Sequence, residues 1–273
     1  MKTVILIPAR YASTRYPGKP LAELTTPNGE KKSLIRMSWD AARRVKGVDE
    51  VYVVTDDERI QSAAQSFGAE VIMTSPSCEN GTARCAEATL NNALDADLIV
   101  NLQGDAPLTP EWFVESLIDA MKADETAQMA TPVLQCDPLT YGMFIEDRKA
   151  GRVGGTTAVM DKDENALYFS KEVIPYIDPD KVPEHDIPVF HHVGVYAYRP
   201  AALTTYTEWS EGPLEKLEGL EQLRFLENGV KVRCVTVDAR GRVFWELNNP
   251  LDIERINAVL ANDGLDPTRS DKP

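Results

Sequence analysis

No Cys-x-x-Cys pair occurs in this sequence. The four cysteines, Cys78, Cys85, Cys136 and Cys234, stand at unrelated spacings, so neither a zinc site nor a disulfide framework is indicated and reduced thiols are expected. Long apolar runs are missing too: "VILI" (4–7) gives way at once to Pro8 and Arg10, too short for a signal peptide or a membrane span. Positive charge is scarce, with 29 Lys and Arg against 43 Asp and Glu, a formal net charge of −14 and a pI near 4.7. That balance leaves no broad basic face for nucleic acid or an anionic membrane. Two phosphate-binding signatures are absent as well, GxxxxGK[ST] and GxGxxG, which removes the hydrolytic P-loop and dehydrogenase readings. What remains is a soluble, cytoplasmic chain of 273 residues, 43% hydrophobic, with 18 prolines and 16 glycines. These values suit one large globular domain or two small ones.

Short apolar runs alternate with segments of helical period. "TVILI" (3–7), "EVYVVT" (50–55), "AEVIMT" (69–74) and "DLIVNLQ" (97–103) are continuous and β-branched, as strands buried on both faces should be. Between them, "SLIRMSWDAARRV" (33–45), "DERIQSAAQSFG" (57–68) and "TARCAEATLNNAL" (82–94) space apolar residues three and four apart. Asp56 or Asp57 supplies an N-cap for the second helix and Gly68 its end. This rhythm predicts an α/β fold, an open parallel sheet with right-handed crossovers and helices on both faces, with ligands at the carboxyl ends of the strands.

That rule puts "PARYASTRYPGKP" (8–20) at a binding edge, as the loop leaving the first strand. Pro8, Pro17 and Pro20 stiffen it, Gly18 permits a sharp turn, and Arg10, Arg15 and Lys19 are held close together with no acidic residue from 8 to 22. Solvated surface charge is one reading of these cations; a polyphosphate site is the other, favoured by position and density. The fourth strand ends in "NLQGDAPLTP" (101–110). Asp105 is the best metal-ligand candidate, because Mg²⁺ beside phosphates takes only one or two protein carboxylates. A simple turn residue is the alternative for Asp105.

Six ordered blocks carry a resemblance: "IPARYASTRYPGKPL", "NGTARCAEA", "NLQGDAPLTP", "ALYFSKEVIP", "HHVGVYAYR" and "PLEKLEGLEQLRFLENG". In order and spacing the chain resembles the 3-deoxy-manno-octulosonate (Kdo) cytidylyltransferase, or CMP-Kdo synthetase, family. The resemblance implies a nucleotidyltransferase-like α/β fold, an open mixed, mostly parallel sheet with a smaller sugar-binding and dimerisation subdomain. The nucleotide half would cover about 1–135, the sugar-binding and dimerisation region about 136–230, and a closing strand and helix about 231–260, with a disordered tail at 261–273. It implies transfer of CMP from CTP to the anomeric hydroxyl of an acidic 2-keto-3-deoxy sugar, with Mg²⁺ and in a homodimer. Pro8, Ala9, Arg10, Ser13, Arg15 and Lys19 would then form the nucleotide loop, with Thr82, Arg84 and Gln103 on base and ribose. Arg10, Lys19 and Asp105 would be the catalytic set, Asp105 holding the metal. Lys171, His192, Tyr196, Glu221 and Gln222 would face the sugar. The last block could equally be one amphipathic helix with Leu214, Leu217, Leu220, Leu223 and Phe225 on the core side, and His192 a packed histidine.

The departures from the family pattern fall mostly on the acceptor side. Asn248 stands where the family has its second metal carboxylate, leaving Glu246 as a substitute. Lys171 and His191 replace arginines, "GRVGGTTAV" (151–159) lacks the usual Pro-Asn-x-Val-Lys run, and "GDAP" replaces "GDEP". These differences open the acceptor to a related acid, such as an 8-amino analogue, and allow a weakly catalytic nucleotide-binding protein.

Overall fold

The computed structural model describes residues 1–12, 16–105, 107–153, 155–242, 247, 250 and 252–262. Ser13, Arg15, Glu246 and Asn248, and all but the first two residues of the 261–273 tail, lie outside them. The chain forms two compact units, one of Met1–Glu115 with Ala239–Pro273 and one of Ser116–Asp238.

The first unit is built on parallel strands. β1 (Thr3–Ala9) is buried along its whole length and is followed by the hairpin strands β2 (Glu23–Thr25) and β3 (Lys31–Ser33). Then come α1 (Leu34–Ala42), β4 (Glu50–Thr55), α2 (Glu58–Ser66), β5 (Glu70–Met73), α3 (Gly81–Asn91), β6 (Leu98–Leu102) and α4 (Glu111–Ala123), within which the chain passes to the second unit. The strand order is β5-β4-β1-β6, all parallel, with Ile5 opposite both Val51 and Val100. Val4, Ile5, Leu6 and Ile7 have no exposed surface, each such burial being worth about 1.5–3 kcal/mol. The helix starts are fixed by side chains. Ser33 accepts from the Arg36 N–H, Asp57 from that of Arg59 and Asn80 from that of Ala83. Gly68, at φ +85°, takes the left-handed position that ends α2.

The second unit is mainly antiparallel. It holds β7 (Met129–Gln135), α5 (Pro138–Lys149), β8 (Thr157–Met160), β9 (Ala166–Ser170), β10 (Phe190–His192), β11 (Val195–Tyr198), α6 (Pro200–Glu208), α7 (Pro213–Glu218), α8 (Leu223–Glu227) and β12 (Val232–Thr236). The strand β7 pairs antiparallel with β11 and then β10, while β12 runs parallel to it. Beyond β10 the order continues through β8 to β9. The single-helix alternative for 213–229 fails here. Gly219, at φ +62°, caps α7, and Leu217 is 84% exposed while Leu223 and Phe225 are fully buried. A left-handed residue cannot continue a helix, so the apolar period of the sequence is cut in two.

The chain returns to the first unit with α9 (Asp252–Ala261), whose Ile256 and Val259 pack with Leu24, Leu34, Leu108 and Leu247. All four cysteines are buried and none forms a disulfide, and burial pushes the Cys78, Cys136 and Cys234 thiols up to about 12. Among the described residues no helix is long and apolar enough to cross a membrane.

Candidate active site

From β1 the sequence runs to β4 and β5 on one side, then returns to place β6 on the other. The loops leaving β1 and β6 therefore diverge at a topological switch point, where open α/β sheets bind ligands. Here Lys19 Nζ donates to Asp105 Oδ2 at 2.7 Å, joining the cationic loop to the metal-ligand candidate from 86 residues away. Among the described residues no hydrogen bond reaches the other carboxylate oxygen. The loop itself is closed by the Gly18 N–H, which donates to the Tyr11 carbonyl at 2.9 Å. Gly104 brings the two strand ends together: a Cβ there would lie 2.8 Å from the Pro8 carbonyl oxygen, a backbone atom with nowhere to go. Gly104→Ala is accordingly expected to destabilise the protein by about 1–3 kcal/mol. A urea unfolding midpoint unchanged by the substitution would refute this close approach.

The other described residues that the resemblance assigns to the nucleotide take up distinct positions. Pro8 and Ala9 are buried at the end of β1, and Arg10 is exposed, its Nη1 donating to the Glu79 carbonyl at 3.3 Å. Thr82 is fully buried in the first turn of α3, and the Gln103 carboxamide lies against Gly81 at that helix start. Arg84 is buried, donating to Thr74 Oγ1 at 2.5 Å and paired with Asp56 at 3.4 Å. Asp56 and Thr74 follow β4 and β5 directly, so Arg84 ties the carboxyl ends of both strands to α3. Neither partner was visible in the sequence as such.

In the second unit His192, Tyr196 and Gln222 come together. The His192 ring stands 5.6 Å from that of Tyr196 and 4.9 Å from that of Phe169, and the Tyr196 hydroxyl donates to Gln222 Oε1 at 3.2 Å. Gln222 Nε2 is buried and meets no acceptor among the described residues. Thr131 Oγ1 lies 3.0 Å from His192 Nε2 and donates to the Val195 carbonyl at 2.9 Å. With its one proton committed, the hydroxyl accepts from Nε2–H, which leaves Nδ1 of His192 as an acceptor. Lys171 is set by a residue that sequence reasoning missed. Glu218 accepts from the Lys171 N–H at 2.9 Å and from Ser170 Oγ at 2.6 Å. No local signal distinguishes that carboxylate from a solvated one. Glu221 is half-buried in the turn between α7 and α8.

Burial, and secondarily His191, push the His192 imidazole down to about 3 from 6.5. The folded protein thus keeps it neutral, whereas the unfolded chain binds a proton below about 6.5. The associated stability is present above that pH and is lost as pH falls toward 3. The urea midpoint is expected to drop between pH 7 and pH 5, with a shallower drop in His192→Gln; equal slopes would contradict the assignment.

Residues 4–232 match the sequence model of the family described as cytidylyltransferase. The 3-deoxy-manno-octulosonate cytidylyltransferase of Maricaulis maris is 41% identical over 97% of this chain and 99% of its own. The 8-amino-3,8-dideoxy-manno-octulosonate cytidylyltransferase of Shewanella frigidimarina is 39% identical, over 96% of this chain and 100% of its own. A solved CMP:2-keto-3-deoxy-manno-octonic acid synthetase, in complex with CTP, superposes with a TM-score of 0.82 at 34% identity. It covers 96% of this chain and 100% of that one.

Proposed function

Because this chain belongs to the cytidylyltransferase family, we propose that it transfers CMP from CTP to the anomeric hydroxyl of Kdo, releasing pyrophosphate and supplying CMP-Kdo for lipopolysaccharide. The observation that carries the reading is the meeting of Lys19 and Asp105 at the switch point. In-line attack on the α-phosphate builds negative charge on the leaving pyrophosphate, so catalysis rests on positioning and charge stabilisation. Lys19 and Arg10 supply fixed positive charge to that leaving group, and Asp105 holds the Lys19 ammonium in its position. Thr82, Arg84 and Gln103, at the α3 start and just after β6, remain the residues assigned to the base and ribose. On the acceptor side, Lys171 meets the sugar carboxylate, and His192 Nδ1, Tyr196, Glu221 and Gln222 Nε2 meet its hydroxyls.

The donor set suits Mg²⁺ held jointly with phosphates. Asp105, whose second carboxylate oxygen accepts no hydrogen bond among the described residues, is the proposed protein ligand beside phosphates and waters. When bound, the ion would offset phosphate charge and lower the pKa of the attacking hydroxyl. The Leu247 N–H donates to the Asp105 carbonyl at 2.8 Å; its neighbours in sequence, Glu246 and Asn248, are the proposed source of a second ligand. The same reading carries a cytoplasmic homodimer, which light scattering would register as about twice 30.3 kDa.

Incubation with CTP, Mg²⁺ and Kdo is expected to release pyrophosphate, with an arm containing the 8-amino analogue run in parallel. Release with the analogue alone would reassign the acceptor, and CTP binding without turnover on either acid would overturn the enzymatic reading.

A further inference from the structure

We propose that Tyr11 and Arg59 are positioning residues that set the phosphate-binding loop by tying it to α2. The loop's shape depends on Gly18, in the left-handed region at φ +71° and ψ 13°, whose N–H bonds the Tyr11 carbonyl and whose own carbonyl accepts from the Leu21 N–H at 2.9 Å. A Cβ on Gly18 would lie 3.0 Å from carbons of the Tyr11 ring, so the ring rests on the glycine backbone itself. The guanidinium of Arg59 in turn sits over that ring, its Cζ 3.3 Å from the centroid.

Arg59 is not a loose surface cation. Asp57 grips it with two bonds, Nε to Oδ1 at 3.0 Å and Nη2 to Oδ2 at 2.6 Å, and also accepts the Arg59 backbone N–H as the cap of α2. A planar guanidinium held by a carboxylate fork is pre-set for stacking in a way that an ammonium is not. The resulting chain of contacts runs from the start of α2 through Asp57, Arg59 and Tyr11 to Gly18. The next residue is Lys19, whose ammonium meets Asp105. A rigid helix end thereby fixes the turn that aims the phosphate-binding cation.

The inference rests on the reading of this loop as the CTP site, and its test separates the two. The variants Tyr11→Phe, Tyr11→Leu, Arg59→Lys, Arg59→Met and the double Tyr11→Leu/Arg59→Met are measured by calorimetric titration with CTP and Mg²⁺, by pyrophosphate release, and by thermal unfolding. Loss of the stack by Tyr11→Leu or Arg59→Met is expected to raise both the Kd and the KM for CTP roughly tenfold. The KM for the sugar acid and the unfolding midpoint should stay near their original values. Tyr11→Phe keeps the ring and should bind like the original protein, while Arg59→Lys should recover only part of the loss. The double variant should be no worse than either single one, as contacts in one chain are not additive. Effects that multiply in the double variant, or Tyr11→Leu with unchanged CTP affinity, would overturn the proposal. CTP titration shifting as expected in a protein that turns over no acid would leave the inference standing and sink the catalytic reading.

Discussion

Asp105→Ala is expected to lower the rate of CMP transfer at saturating CTP and sugar acid by on the order of a thousandfold or more, about 4 kcal/mol of transition-state stabilisation. Two losses combine in this one substitution. The carboxylate that holds the Lys19 ammonium at 2.7 Å disappears, so the cation facing the leaving group is no longer fixed. The oxygen proposed to hold Mg²⁺ disappears with it. Asp105→Asn separates the two, because its amide oxygen can still accept from Lys19 but carries no charge. A rate near that of the alanine variant assigns the loss to charge, and a rate near the original assigns it to the Lys19 contact. Lys19→Met should cost less when added to Asp105→Ala than when made alone, since residues that act as a unit are not additive. An Asp105→Ala rate within tenfold of the original protein would remove Asp105 from the catalytic set.

The legibility of this site in the sequence was uneven for physical reasons. Runs of β-branched residues announced β1 and β6, which are buried along their whole length as strands covered on both faces must be, and "EVYVVT" coincides with β4. The strand β5 was found by the same kind of run, but at the end of the sheet order it exposes Glu70 and Met73 and is not buried on both faces. Asp57 as the cap of α2 and Gly68 as its end were legible because capping is local chemistry. The family resemblance placed Lys19 and Asp105 in one site, but their direct ion pair was not legible, since it depends on β6 pairing with β1 on the side away from β4. Nothing in the period of a strand states which neighbour it will take. The antiparallel pairing of the second unit and the parallel return of β12 onto β7 were hidden for the same cause. The apolar spacing of 213–229 misled in one of its two readings. Leucines at helical intervals suggested a continuous helix, whereas Gly219 breaks it and leaves Leu217 in solvent. Arg84 has partners that no local pattern announced: its buried guanidinium is engaged by Asp56 and Thr74, at the ends of β4 and β5.

The largest effect on stability is expected from Glu215→Ala in the second unit. Glu215 and Arg224 are only 3% and 6% exposed and form a bidentate pair, Nε to Oε2 at 2.6 Å and Nη2 to Oε1 at 2.8 Å. Arg224 also lies over the Tyr206 ring, 4.3 Å from its centroid. Removing the carboxylate breaks a buried bidentate ion pair, which costs about 3–5 kcal/mol, far more than the intact pair contributes net. Urea unfolding followed by circular dichroism is expected to show that loss. Glu215→Leu with Arg224→Met should recover much of it, because the burial penalty on both charges is removed. The pair spans α7 and α8, and Glu227 adds a second tie by accepting the Leu214 and Glu215 N–H groups at 2.9 and 3.1 Å. Glu221 and Gln222 stand in the turn between these helices, so their placement depends on the tie. Below its unfolding midpoint, Glu215→Ala should therefore raise the KM for the sugar acid while leaving that for CTP unchanged, the reverse of the pattern expected for Arg59→Met. Equal changes in both constants would mean that the variant reports general loosening of the fold and not displacement of the sugar-side turn.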